Sequence, residues 1–171
     1  MIISIGIGSV LSCAKKTSKS TSVLDNSEYH YNLGIQQLEN GDIKLAIKSF
    51  NNSKNLTHNF ALANVGLALA AITSKEYQAA KEFIHLAKRK SRNCAEAYIA
   101  EGRLIAHKNI ESKKASKLWI SDAVKEFQLA LRIDKNNPEA LFYMGDTYLR
   151  TGMLKDAETT FLKILNSDDI I

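Results

Sequence analysis

Cysteine and histidine are the side chains of this 171-residue chain best suited to nucleophilic chemistry or metal binding. The two cysteines, Cys13 and Cys94, lie far apart and form neither a Cys-x-x-Cys pair nor a zinc-ligand spacing. The histidines are isolated from one another and form no His-Glu-x-x-His motif; they are His30, His58, His85 and His107. The sequence has no glycine-rich phosphate loop and no Gly-x-Ser-x-Gly elbow. It therefore predicts no catalytic residue, no metal site, no cofactor and no enzymatic activity.

Cys13 stands where the composition of the chain changes. Before it, Ile2 to Ser12 carry no charge, a length that suits the apolar region of a signal peptide but falls far below that of a membrane-spanning helix. After it, residues 14–26 (AKKTSKSTSVLDN) are rich in lysine, serine and threonine and lack helical periodicity. These residues predict a flexible tether with an end-to-end distance of about 20 Å.

Bulk composition indicates one soluble, helical domain. The chain is 45% hydrophobic and 24% charged and contains one proline and eight glycines, and so few helix breakers favour helices over a turn-rich sheet fold. The net charge of +5 is spread along the chain. A nucleic-acid binder usually carries a denser basic stripe, so we expect no nucleic-acid partner.

Small and large apolar residues recur at a fixed spacing along the chain. Three columns share steps of 34 residues with one step of 43. They are Gly34, Ala68, Gly102 and Gly145; then Ala46, Ala80, Ala123 and Ala157; then Phe50, Ile84, Phe127 and Phe161. The spacing predicts a 34-residue repeat, with one nine-residue insertion between Gly102 and Ala123.

Each unit predicts two antiparallel helices joined by a turn. The first helix carries the small residue of the first column, and the second carries a small residue followed four positions later by a large one. That spacing puts both on one face, where they wedge against the first helix. Asn137-Pro138 is a typical helix start. We expect the insertion to lengthen the third pair by about one turn per helix, with Trp119 packed on the pair and an exposed tip at 111–116.

The segments Tyr31 to Phe50 (YNLGIQQLENGDIKLAIKSF) and Ala140 to Phe161 (ALFYMGDTYLRTGMLKDAETTF) resemble the tetratricopeptide repeat. The middle two units resemble it less closely, with Ala68 for the glycine and Lys75 for the turn glycine of the second unit. The resemblance implies an all-α superhelical solenoid over residues 27–171. Its four helix pairs would span 27–60, 61–94, 95–137 and 138–171.

The resemblance also implies a concave groove, lined by the first helix of each pair, that holds a protein or peptide. Carried onto this sequence, the groove residues are Tyr31, Asn32, Ile35, Val65, Leu69, Ile99, Arg103, Phe142, Tyr143, Asp146 and Arg150. Tyr31 and Ile35 stand where some members of the family clamp a terminal carboxylate, so that clamp is absent. The alternative is that these residues only pack neighbouring pairs together.

The residues Val10-Leu11-Ser12-Cys13 resemble the lipobox of bacterial lipoproteins. The resemblance implies that residues 1–12 are a signal segment cut off before Cys13, and that Cys13 carries lipid. Ala14 in the next position implies the outer membrane where the bacterium has one. No basic residue precedes Ile2, so the positive start of a signal peptide is missing, and an incidental thiol remains the alternative.

Two hypotheses on function remain. The first is a membrane-tethered adaptor or scaffold in the bacterial envelope or in secretion or pilus assembly, anchored to the cell membrane through Cys13. The second is a soluble cytoplasmic regulator or co-chaperone without a lipid anchor. The last unit lacks a polar capping helix, so we also expect homo-oligomerisation or partner docking at the C-terminal end.

Overall fold

The computed structural model describes residues 26–57, 61–110 and 117–168, which form eight helices and, within these ranges, no strand. The helices are α1 (Ser27–Glu39), α2 (Ile43–Leu56), α3 (Ala61–Thr73), α4 (Tyr77–Lys90), α5 (Ala95–Ile110), α6 (Leu118–Ile133), α7 (Pro138–Arg150) and α8 (Leu154–Asp168). The predicted all-α fold is confirmed.

The helices form two rows. Each odd-numbered helix packs against the even-numbered helix that follows it, and each even-numbered helix also packs against the next odd-numbered one. The odd-numbered helices contact one another in the order α1, α3, α5, α7, whereas no such contacts join the even-numbered helices in the described part of the chain. The closely spaced row is therefore the inner, concave side of the solenoid, and the even-numbered helices form the outer side.

The columns of small and large residues hold each pair together as predicted. Phe50 and Phe127 are fully buried, and their rings lie directly against the glycines of the preceding helices. A Cβ atom added at Gly102 would stand 2.5 Å from Cε1 of Phe127, and one at Gly145 would stand 2.6 Å from Cε1 of Phe161. Only a residue without a side chain lets the two helices approach this closely.

Helix α3 is the centre of the solenoid. Its residues 61–72 are all buried, because α3 packs against α1, α2, α4 and α5. A helix surrounded in this way must be apolar on all sides, and α3 carries no charged residue. Asn64 is the polar exception, with 1% of its surface exposed.

Turns and caps follow the local sequence. Gly41 and Gly152 have φ angles of +84° and +79° between the helices of the first and last pairs, and Lys75 takes φ +60° at the same place in the second pair. Side-chain oxygens cap two helix starts: Asn26 accepts a hydrogen bond from the Tyr29 amide at 2.8 Å. Asn137 accepts one from the Ala140 amide at 2.9 Å, with Pro138 in the first turn.

The third pair is lengthened, as the insertion predicts. Helices α5 and α6 have 16 residues each, whereas α3 and α4 have 13 and 14. Each helix grows by less than one turn, so the connection takes up the remaining inserted residues. Trp119 is half-buried at the start of α6. The predicted tip at 111–116 lies outside the described residues, as do Cys13 and the predicted tether up to residue 25.

Candidate functional site

All eleven predicted groove residues lie on the inner row of helices, but they differ in exposure. Val65, Leu69 and Ile99 are buried, with 1%, 6% and 1% of their surface exposed. Five residues are half-buried and three are exposed; the half-buried ones are Tyr31, Ile35, Arg103, Tyr143 and Asp146, and the exposed ones are Asn32, Phe142 and Arg150. That these residues bind a partner stays a prediction.

The buried members belong to the core beneath the inner surface. Val65 and Leu69 lie in one apolar cluster, against which Tyr31 and Ile35 of α1 pack. Ile99 lies in a second cluster, with Tyr143 packed against it. The inner surface therefore has an apolar floor, and its accessible part is formed by the half-buried and exposed residues above that floor.

Arg103 is the centre of this surface. Its Nη1 atom lies 3.3 Å from Oε1 of Glu139, at the start of α7. Its guanidinium carbon lies 4.1 Å from the ring centroid of Tyr143, one turn further along α7. A single side chain of the third pair thus contacts a carboxylate and an aromatic ring of the fourth pair.

Tyr31 brings the first helix pair into the same electrostatic environment. Burial raises the pKa of the Tyr31 hydroxyl above its ordinary value, and the carboxylates of Glu139 and Glu96 raise it further, while Arg103 lowers it. Groups from α1, α5 and α7 are therefore close enough to act on one another. Charged groups of the third and fourth pairs thus act on Tyr31 of the first pair.

Glu139 is a residue of this surface that the sequence analysis missed. Its side chain keeps 45% of its surface accessible, yet the surrounding protein displaces enough water to raise the pKa of its carboxyl group above the ordinary value. Arg103 opposes this shift, and Glu39 adds to it. One signal was available in the sequence, because Glu139 stands four residues before Tyr143 and so shares its helix face.

Carboxylates outnumber the basic groups along the inner surface. Arg150 pairs with Asp146 on α7, where its Nε lies 2.8 Å from Oδ2 of the aspartate. Helices α1, α3, α5 and α7 together carry six carboxylates, against the three basic residues Arg103, Lys108 and Arg150. Aromatic and aliphatic side chains beside an excess of carboxylates suit a peptide that offers apolar anchors and a basic residue.

The outer end of the last pair exposes apolar side chains. They are Leu149 (50%), Met153 (39%), Leu154 (64%), Leu162 (48%) and Leu165 (63%). In the earlier pairs, residues at the position of Leu165 contact the next pair: Lys88 pairs with Glu101 of α5, and Leu131 packs in the cluster that α7 completes. The position of Leu165 has no such neighbour among the described residues.

The described residues contain no cluster of three or more histidine, cysteine, aspartate or glutamate side chains that could hold a metal ion. None of the helices in the same ranges is both long and apolar enough to cross a membrane.

Comparison with known proteins identifies one repeat by its sequence. A family model described as tetratricopeptide repeat matches residues 126–159. No curated protein sequence matches the chain significantly.

Solved structures share the fold at low sequence identity. A tetratricopeptide-repeat protein from Thermus thermophilus, TTC0263, is 16% identical with a TM-score of 0.70. The match covers 84% of this chain and 75% of the TTC0263 chain. A MamA structure from Desulfovibrio magneticus is 19% identical with a TM-score of 0.56. The match covers 85% of this chain and 77% of the MamA chain. Another MamA structure is 22% identical with a TM-score of 0.55, covering 86% and 81%. The family model thus identifies residues 126–159 as a tetratricopeptide repeat, and the solved structures show that the chain shares the fold of these proteins.

Proposed function

We propose that this protein is an adaptor that binds a segment of another protein along its inner helices. The observation that carries the proposal is the position of Arg103, which contacts Glu139 and Tyr143 and acts on Tyr31 across the surface. Polar and aromatic groups of the third and fourth helix pairs thus meet above an apolar floor. A surface that needs several repeats to assemble can read an extended or helical segment.

The charges of the surface favour one kind of partner. The inner helices carry six carboxylates and three lysine or arginine residues, while Phe142 presents an exposed aromatic ring, with 44% of its surface accessible. We therefore expect a segment with one or more large apolar side chains next to lysine or arginine. A strongly acidic segment would meet like charges, which weaken binding.

A capture experiment with the full-length protein tests the proposal. The groove variant carries Tyr143→Ala and Arg103→Glu, and the control variant carries Leu118→Ala and Lys125→Glu, which are exposed on α6 of the outer row. Both double changes remove one large side chain and reverse one positive charge. We expect the groove variant to lose the proteins that the wild type captures and the control variant to retain them. Equal retention by both variants would refute the groove as the binding surface.

We further propose that Cys13 carries lipid and tethers the repeats to a bacterial membrane. The support is the order of sequence features: an uncharged apolar run, the lipobox-like residues Val10 to Cys13, and a polar segment that leads to Asn26. More than one acyl chain would anchor the protein stably, because each buried CH₂ contributes about 0.8 kcal/mol. The adaptor would then act in the envelope, or in secretion or pilus assembly.

Metabolic labelling with a palmitate analogue tests the tether. Wild-type protein should take up the label and sediment with membranes, whereas Cys13→Ala should do neither. A Cys13→Ala variant labelled like the wild type would refute lipidation at this residue. Wild-type protein that stays in the soluble fraction would favour the alternative of a cytoplasmic regulator or co-chaperone.

The apolar end of the last pair supports a third proposal, self-association through α7 and α8. Leu154 and Leu165 are 64% and 63% exposed, at the end where a further helix pair would pack in a longer solenoid. Analytical ultracentrifugation should show association that Leu154→Lys with Leu165→Lys abolishes. A wild-type protein that remains monomeric at high concentration would contradict it.

A further inference from the structure

In the first two helix pairs, basic residues lie mainly on the outer row of helices. On the outer row, α2 has three lysines and no acidic residue, and α4 has four basic residues and one glutamate. On the inner row, α1 has two glutamates and neither lysine nor arginine, and α3 has no charged residue. The first two pairs are therefore basic on their outer side, a polarity that the net charge of +5 for the whole chain conceals.

The outer surface of α2 combines these lysines with exposed aliphatic side chains. Lys44 and Lys48 are exposed one turn apart. Leu45 and Leu56 lie three turns apart on one flank of the lysines and expose 51% and 46% of their surface. Basic residues interleaved with exposed aliphatic groups match the interface of an anionic bilayer, where lysines meet phosphate groups and leucines enter the boundary of the acyl chains.

Helix α4 carries further basic side chains on the same outer row. Lys81 and Arg89 are exposed on its outer side and line one shallow depression together with His85. Lys88, by contrast, points to the next pair, where it contacts Glu101 and Glu126 and lies 3.9 Å from the ring centroid of Tyr98. Lys88 is therefore engaged within the protein, and we do not count it in the basic surface.

The chain leaves the repeats beside this surface. Ser53 near the end of α2 donates a hydrogen bond from its Oγ to the carbonyl oxygen of Ser27 at 2.6 Å, so the start of α1 is fixed at the end of α2. The residues that lead back to Cys13 depart from this point. A flexible tether of the predicted length has a root-mean-square end-to-end distance of about 20 Å, so a lipid on Cys13 would hold the end of α2 near a bilayer.

We propose that the outer surface of α2 and α4 docks on the headgroups of an anionic membrane, so that the inner surface faces away from the bilayer. This proposal deepens the proposed membrane tether, but it does not need the lipid, because the folded repeats themselves bind the bilayer. Its test therefore uses the full chain with Cys13→Ala. If Cys13 takes up no lipid but the protein binds vesicles, only the proposed tether is refuted. If Cys13 is lipidated but the Cys13→Ala protein does not bind vesicles, only the docking surface is refuted.

The experiment measures partition of the Cys13→Ala protein onto vesicles of phosphatidylethanolamine with phosphatidylglycerol, compared with phosphatidylcholine alone. The test variant adds Lys44→Gln, Lys48→Gln and Lys81→Gln. The control variant adds Lys125→Gln, Lys155→Gln and Lys163→Gln, which change the net charge equally at the other end of the outer row. Each basic residue near an anionic surface strengthens binding roughly fivefold, so we expect about a hundredfold weaker partition for the test variant and little change for the control.

Three results would overturn the proposal. The first is equal weakening of vesicle binding by the test and control variants, and the second is equal binding to both kinds of vesicle. The third is a test variant that weakens binding to duplex DNA or RNA while its vesicle binding is unchanged. A further variant, Leu45→Gln with Leu56→Gln, separates lipid from nucleic acid. We expect it to weaken vesicle binding, because the aliphatic side chains enter the bilayer interface, and unchanged vesicle binding would count against docking. Circular dichroism and thermal unfolding establish that each variant is folded.

Discussion

The guanidinium of Arg103 on α5 stacks on the ring of Tyr143 on α7, with 4.1 Å between the guanidinium carbon and the ring centroid. The same guanidinium pairs with Glu139 at 3.3 Å. The contact joins the third and fourth helix pairs on the inner surface and fixes a positive charge in the middle of the candidate groove. It therefore links the stability of the solenoid to the surface proposed to bind a partner.

A double-mutant cycle measures this contact. Arg103→Met and Tyr143→Leu should each destabilise the protein, and the double variant should lose less than the sum, with a coupling of about 0.5–2 kcal/mol. The measurement is the free energy of unfolding in urea. Arg150→Met serves as the control partner for Tyr143→Leu, because Arg150 lies two turns further along α7. Coupling that is no larger for Arg103 than for Arg150 would show that the stacked geometry contributes nothing.

Gly102→Ala should destabilise the protein by about 1–3 kcal/mol. Alanine favours a helix over glycine by about 1 kcal/mol, but the added Cβ would lie 2.5 Å from the Phe127 ring, which is buried and cannot move aside. The clash therefore outweighs the helix propensity. Thermal or urea unfolding measures the change, and Phe127→Leu in the same chain should reduce the cost of Gly102→Ala. A Gly102→Ala variant more stable than the wild type would contradict this packing.

Replacing each of two buried asparagines by leucine should change the free energy of unfolding in opposite directions. Neither amide atom of Asn64 has a hydrogen-bond partner within the described residues, so Asn64→Leu should raise the free energy of unfolding by about 1–3 kcal/mol. Asn137 caps α7 and donates to Asp134 at 2.9 Å, so Asn137→Leu should lower it by about 1 kcal/mol. Parallel urea titrations compare the two. Loss of stability in Asn64→Leu would indicate that this amide is satisfied in solution.

Glu139 should make the stability depend on pH. Burial raises its folded-state pKa above the ordinary value of a glutamate. Between the unfolded and folded pKa values the folded state binds more protons, so the contribution of Glu139 to stability falls as pH rises through that interval. The stability advantage of Glu139→Gln over the wild type should therefore grow over the same rise in pH.

Urea titrations of both proteins from acid to neutral pH measure this difference, and carboxyl NMR gives the midpoint of Glu139 directly. Arg103→Met should raise that midpoint further, because Arg103 lowers the pKa of Glu139. A midpoint at or below the ordinary value of a glutamate would contradict the desolvation of Glu139.

The pairing of the helices could be predicted from the sequence because it depends on local spacing. Gly102 and Phe127, like Gly145 and Phe161, occupy columns whose steps recur, and each pair meets in the structure. The resemblance to the tetratricopeptide repeat also put the predicted groove residues on one row of helices. These relations repeat in every unit, so several copies support each prediction.

Contacts between non-equivalent positions could not be predicted in this way. The pairing of Arg103 with Glu139 depends on how far one helix pair is rotated relative to the next, which no column of the sequence records. The burial of Val65 and Leu69 has the same origin, because α3 is packed against four neighbouring helices. The amide of Asn64 has no hydrogen-bond partner in the part of the chain that the structure describes, and its burial among apolar side chains could be seen only once its neighbours were placed.

Photo-crosslinking in cells tests most directly the central claim that the inner surface binds a protein. A photoreactive residue replaces Asn32 or Phe142, which are exposed on the inner side, or Gln128 or Glu158, which are exposed on α6 and α8 on the outer side. We predict discrete adducts with another protein at both inner positions, lost when Arg103→Glu is added, and none of these adducts at the outer positions. Adducts that form equally at inner and outer positions, or only at the outer ones, would contradict the account.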